Sequence, residues 1–344
     1  MTSEVDHQRR IQTICLLTLA FFAAGIALYL LRAMLVPFVL AVFFTFILTP
    51  LINFQVRRLR LPRALALVDT LLLGVLAMAL LAGVIASSVA EMNDKQGLYI
   101  ARLDELRTEL DKVAEKLGYD LPRVVEGAQE QLKGLVGVVI NEITSLLSDG
   151  FLVLIFLIFL ILGRDVPLEE PRGGVLSKVE TQIRSYLAVK VLVSAVTSAL
   201  VYAILSIIGI DLALVFALLT FFFNFVPNIG SVIAVLLPLP VVVLAPGISL
   251  TEGTLAIALP FAVQFGMGNI VEPKLMGRSL DLHPVVVLLA LIFWGILWGF
   301  VGMLLSVPLT AACRILLEQS SYTKPVADAM AGRLPARATT EDAA

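Results

Sequence analysis

A polytopic all-α membrane protein is the fold class this sequence predicts, and three observations predict it. The 344 residues are 59% hydrophobic and only 15% charged, where a soluble domain carries about 25% charged residues. Mean hydropathy is +0.97. The apolar residues gather in runs long enough to cross a bilayer, which takes about 20 residues for a hydrocarbon core of about 30 Å. One globule cannot hide so much apolar surface, so lipid is its solvent.

Three spans come first. Ile14–Leu31 is followed, after a tight turn at Arg32, by Ala33–Ile52, and then by Ala64–Ala90, which is long enough to tilt. Arg9 and Arg10 precede the first run as in a cleaved leader, but the run continues and a second begins at once, so it is expected to stay. Leu146–Leu162 is the fourth span and Val191–Ile210 the fifth. Orientation follows from Lys and Arg. Arg57, Arg58, Arg60 and Arg63 crowd one short loop with no acid among them, which makes that loop and the N-terminus cytoplasmic. On this topology 17 of the 25 Lys and Arg lie inside. The rest are Arg32 and seven in a long outer segment, where the rule weighs little.

That outer segment, 91–145, is predicted to be a helical hairpin. Leu103, Leu106, Leu110, Val113 and Leu117 form a heptad-like stripe on a charged helix. Gly118 can end it, and Asp120 and Pro122 can start another. Ala128, Leu132, Leu135, Val139, Ile143 and Leu146 continue as a second stripe. The stripes are expected to pack on each other or on neighbouring subunits. Within 163–190, Leu176, Val179, Ile183 and Leu187 share one face of a cytoplasmic interfacial helix leading into span five. Lys190 is expected to snorkel from the start of that span.

The segment 191–317 departs from simple spans. Leu212–Val226 is interrupted by Pro227-Asn228-Ile229-Gly230-Ser231 before Val232–Ala245 continues. Each limb is short, and Pro and Gly break the helical ladder, so the tip must find other partners. Thr254–Val271 follows and ends at Glu272-Pro273-Lys274. A second block, Pro284–Leu317, is interrupted at Trp298-Gly299-Phe300-Val301-Gly302. The flanking charges describe two hairpins of opposite sense, one from each side. Such pairs point to the binding region of a transporter; two pairs of short, kinked spans satisfy the same charges. Residues 318–344 read as a disordered cytoplasmic tail.

Composition excludes other chemistries. A net charge of −2 without a basic stripe gives no footprint for nucleic acid. Cys15 and Cys313 have no metal-ligand spacing and read as small apolar side chains. His7 and His283 alone cannot build a zinc site or a Ser-His-Asp triad. No Gly-Lys-Ser/Thr phosphate loop occurs. The sequence therefore predicts no enzyme, no metal and no cofactor, and any pumping draws on an ion or solute gradient.

Polar groups at membrane depth carry the remaining chemistry. Asn224, Asn228 and Ser231 flank the first break, while Gln264, Asn269 and Glu272 lie on one helix. Such groups mark solute or proton paths, or they bond to neighbouring helices and fix packing. Pro273 disfavours helical geometry at Glu272, so the helix is expected to end there with Lys274 or Arg278 as the carboxylate's partner. Asp69 is expected to pair with Arg63.

The order and spacing of several motifs resemble the AI-2E family of transporters, the PerM-like permeases. They are Phe225-Val226-Pro227-Asn228-Ile229-Gly230, the run from Asn269 through Glu272-Pro273-Lys274 to Arg278, Leu282-His283-Pro284, and Trp298-Gly299-Phe300-Val301-Gly302 followed by Val307-Pro308. Asn228 stands where the family pattern has an aromatic residue. The resemblance implies an inner-membrane permease exporting a small polar solute, of the autoinducer-2 kind, or exchanging a monovalent cation for a proton with Glu272 as carrier. It also implies a homo-oligomer, with a pentamer as one form. The expected path comprises Asn224, Pro227, Asn228, Gly230, Ser231, Gln264, Asn269, Glu272, Gly299 and Gly302. A reading of another class is a membrane scaffold whose outer hairpin recruits a partner.

Overall fold

The computed structural model describes residues 2–117, 150–163, 174–245, 247–276 and 281–333, and no strand occurs among them. The protein is all-α. Among the described residues, five helices are long and apolar enough to cross a membrane: Arg32–Arg58, Leu65–Met92, Ser177–Ile208, Leu250–Met276 and Pro284–Leu317. Four shorter apolar helices accompany them: Thr18–Leu30, Gly150–Leu162, Ala213–Phe223 and Ile229–Leu244. The described helices form two compact units.

The first unit holds Met1–Thr45, Leu152–Glu169 and Leu282–Ala344. Helix α1 (Thr2–Leu30) is followed by α2 (Arg32–Arg58), whose first half belongs here. Phe38 of α2 meets Phe156 of α4 (Gly150–Leu162) edge to face, with ring centroids 5.5 Å apart. The second interrupted block is a helical hairpin, α11 (Pro284–Leu317), broken at Gly299 with φ 63° and ψ −142°. Trp294 Nε1 donates to Thr310 Oγ1 at 3.1 Å. Sixteen residues of straight helix would separate those groups by about 24 Å, so the arms lie side by side. Trp298 Nε1 donates to the Leu28 carbonyl at 3.1 Å, next to the turn between α1 and α2. His283 caps α11 ahead of Pro284, its Nδ1 accepting from Val285 N at 3.3 Å. A short α12 (Lys324–Met330) follows, and its Met330 carbonyl accepts from His283 N at 2.9 Å. Residues 318–333 are thus ordered by packing, contrary to the expected disordered tail; 334–344 lie outside the described residues.

The second unit holds Phe46–Phe151 and Glu170–Asp281. Helix α3 runs unbroken from Arg63 to Leu117, 55 residues, so the expected third span and the first stripe of the outer hairpin are one rod. The second stripe, with Gly118, Asp120 and Pro122, lies outside the described residues. Leu103 packs with Tyr99 into a core with Val201, Leu205, Phe216 and Val241. Near its start, Asp69 accepts from Gln55 Nε2 at 2.6 Å, and Thr70 donates to Gln55 Oε1 at 3.3 Å. The side chain of Arg63, the partner expected for Asp69, lies outside the described residues.

Helix α5 (Val175–Ile208) is also continuous, so the interfacial helix and the fifth span are a single helix, ended by Gly209 in the left-handed conformation. The first interrupted block is a second hairpin: α6 (Ala213–Phe223), then α7 (Ile229–Leu236) and α8 (Leu239–Leu244). Ala213 and Val241, from its two far ends, share one core cluster. The 11 residues of α6 reach only about 16 Å, too short to cross. A Cβ on Gly230 would lie 1.8 Å from the Phe223 carbonyl oxygen, and one on Gly302 1.9 Å from that of Trp294. Both hairpins therefore close on a glycine that no larger residue can replace without backbone movement. Helix α9 (Leu250–Gly266) starts with a capping box of Ser249 and Glu252. It passes through a π-turn, Met267–Val271, into α10 (Glu272–Met276).

Candidate functional site

On α5, Tyr186, Lys190, Ser194 and Thr197 recur every three or four residues, so they share one face. Their exposures are 3, 4, 0 and 0%. A polar stripe this deeply buried needs partners, and the end of α6, the start of α10 and α5's own backbone supply them. Asn224 Nδ2 at the end of α6 donates to Ser194 Oγ at 3.2 Å. Lys190 Nζ donates to Glu272 Oε1 in an ion pair between α5 and α10. Thr197 Oγ1 returns its proton to the Val193 carbonyl at 2.7 Å.

The pair corrects two expectations. Lys190 does not snorkel: its side chain is 5% exposed against 16% for that of Glu272. The ammonium turns inward because a carboxylate waits there, 82 positions along the chain. Nor does the helix end at Glu272, whose φ of −58° and ψ of −49° are helical. Glu272 N donates to the Met267 carbonyl, five residues back. This wider turn relieves the crowding that Pro273 imposes on an α-helix. It also sets the direction in which Glu272 leaves the helix, and its partner is Lys190 rather than Lys274. Arg278 lies outside the described residues.

Three side chains on α5, α6 and α9 have buried polar atoms without partners among the described residues, and the first is Gln182, through its Oε1. Gln264 is 4% exposed, and neither its Nε2 nor its Oε1 has a hydrogen bond. Thr220, at 1%, has an unpartnered Oγ1.

The structure brings Asn224, Gln264 and Glu272 of the expected path onto the helices around this face of α5. Asn228 is exposed and adopts φ 60° at the hairpin tip, beside Pro227, Gly230 and Ser231. Asn269 is exposed and donates to the Phe265 carbonyl of its own helix at 3.0 Å. Gly299 and Gly302 belong to the other unit. The sequence reading omitted Ser194, Thr197, Thr220 and Tyr186. Their signal was the repeat of polar residues through an apolar helix, faint because hydroxyls are small and common in spans.

No cluster of three or more metal-ligating side chains occurs among the described residues. Long apolar helices, two hairpins closed on glycine and polar side chains buried between helices define a membrane permease. The chain belongs to the AI-2E transporter family, whose model matches residues 16–321. It is 33% identical over 311 residues to the AI-2 transport protein TqsA of Escherichia coli (strain K12), covering 85% of this chain and 88% of that one. It is likewise 33% identical over 304 residues to the YhhT protein of the same organism, covering 83% and 84%. The YrrI protein of Bacillus subtilis (strain 168) is 24% identical over 309 residues, covering 83% and 86%.

Proposed function

We propose that this chain is a secondary transporter of the cell membrane that exports a small polar solute, of the autoinducer-2 kind, along the polar face of α5. The observation that carries the reading is the buried stripe from Tyr186 to Thr197 with the Lys190–Glu272 pair within it. Buried charges and hydroxyls in a span are costly, and a hydrated solute path is what makes them useful. The proposed orientation puts the N-terminus and the Arg57–Arg60 loop in the cytoplasm and the end of α3 outside. The contact of Lys95 with Asp211, 2.5 Å, agrees with α3 and α5 finishing on one side. Flux measured in proteoliposomes of the purified protein is the test. Saturable solute movement is expected; its absence, for solutes and cations alike with folded protein, favours the scaffold.

A second reading is exchange of a monovalent cation for a proton. The ion pair favours it, since a cation can take the place of the Lys190 ammonium beside Glu272. Glu272→Gln then removes the pH dependence of flux. An unchanged pH profile in folded Glu272→Gln protein leaves solute export as the surviving reading.

A further inference from the structure

Of these side chains, Gln264 and Thr220 lie at one height in the helix bundle. Helices α5 and α6 are antiparallel across the turn at Gly209, and Asn224 meets Ser194. One turn back along α6 is Thr220; one turn on along α5 is Thr197. Helix α9 runs antiparallel to α5 as well. Its Ala256 shares a core cluster with Val201 and Leu205, and Glu272 beyond it meets Lys190. Gln264 is midway between those two contacts, which again is the level of Thr197.

This layer holds two buried acceptors and an amide donor without partners among the described residues, and Thr197, Thr220 and Gln264 themselves carry no charge. The nearest charges known to face α5 here, Lys190 and Glu272, neutralise each other. They sit two turns away along α5, about 10 Å. On the other side the layer ends at Val201 and Leu205, 1 and 0% exposed. An ionic group stopped here would lose its hydration without a counter-charge, whereas a hydroxyl or amide would satisfy both the amide of Gln264 and the hydroxyl of Thr220.

Resting on the transport reading above, we infer that Gln264 and Thr220 form a recognition layer for a neutral solute, held through hydroxyl or amide groups rather than through charge. The Lys190–Glu272 pair borders this layer and does not bind the solute.

The test uses full-length protein in proteoliposomes with erythritol as a neutral probe and lactate as a charged one. Wild-type vesicles are expected to pass erythritol in preference to lactate. Gln264→Leu should lower erythritol flux about tenfold below half-saturation, the worth of about one good hydrogen bond. Its melting temperature should match or exceed that of the wild type, because an unsatisfied buried amide has gone. Thr220→Val, of nearly the same shape, should act in the same direction and guards against a folding failure at Gln264. Lactate flux without erythritol flux overturns the inference and leaves transport standing. Unchanged erythritol flux in both variants overturns it too, since the amide and hydroxyl then hold buried water only. No flux of either probe through folded wild-type protein overturns the inference, and it overturns the transport reading as well when monovalent cation flux is absent from the same vesicles.

Discussion

Replacing Glu272 by Gln keeps the shape of the side chain and removes its charge. The ammonium of Lys190 then stays behind at 5% side-chain exposure. Deleting one partner of a buried pair costs about 3–5 kcal/mol, because the remaining charge is neither hydrated nor compensated. Lys190→Met is the informative counterpart. It leaves the carboxylate behind instead, and at 16% exposure that group retains some contact with its surroundings. Its cost should therefore fall at or below the lower end of that range. The double variant Lys190→Met/Glu272→Gln leaves no unpaired charge and should recover most of the loss. The assay is thermal unfolding of purified protein in one detergent, with the four proteins compared at one scan rate because membrane proteins unfold irreversibly. A double variant that melts no higher than Glu272→Gln alone would refute the reasoning. So would a Lys190→Met loss larger than that of Glu272→Gln.

Gly230→Ala and Gly302→Ala should each destabilise by about 1–3 kcal/mol, the range for overpacking, since the added carbons meet backbone oxygens at 1.8 and 1.9 Å; melting temperature reads this, and an Ala variant as stable as wild type contradicts the hairpin geometry. A Cys at Arg58 should resist an impermeant thiol reagent in intact cells while one at Glu115 reacts; the reverse pattern inverts the topology. Lys95 lies beyond the Leu65–Met92 span, and its hydrogen bonds to Asp211 and Glu91 push its pKa from 10.5 to about 12. Its folded pKa is the raised one, so its contribution to stability is whole below about 10.5 and fades as pH rises through about 12. Lys95→Met should accordingly flatten an alkaline decline in melting temperature and leave the neutral range without added pH dependence.

Span positions were legible because bilayer thickness dictates them, and both glycine-centred breaks were legible because only Gly fits such closures. Asn224, Gln264 and Glu272 stood out as polar residues where lipid tolerates few. Lys190 did not, for a lysine at the start of a span satisfies snorkelling as well as burial, and its carboxylate is remote in sequence. Pro273 misled for a physical reason: the rule against helical geometry before proline assumes an α-helical turn, and the π-turn widens it. Helix continuity through Leu117 and across Lys190 was hidden as well, because polarity marks where lipid stops and says nothing about where the hydrogen-bond ladder stops.

The unbroken course of α3 has a mechanical consequence. At 55 residues it is a rod of about 80 Å, tied to other elements among the described residues by side-chain hydrogen bonds at two places, Thr70 and Asp69 to Gln55 and Lys95 and Tyr99 to Asp211. The second fastening is a fulcrum with unequal arms. About 18 residues extend from Tyr99 to Leu117 and about 36 from Tyr99 back to Arg63, so the arm toward Arg63 is about twice as long as the arm toward Leu117. With Asp211 as pivot, a sideways push on the far tip moves the Gln55 contact, about 30 residues from Tyr99, by about 1.6 times as much. Because Asp211 also begins the connection from α5 into the first hairpin, the pivot bears directly on the helix that carries Lys190.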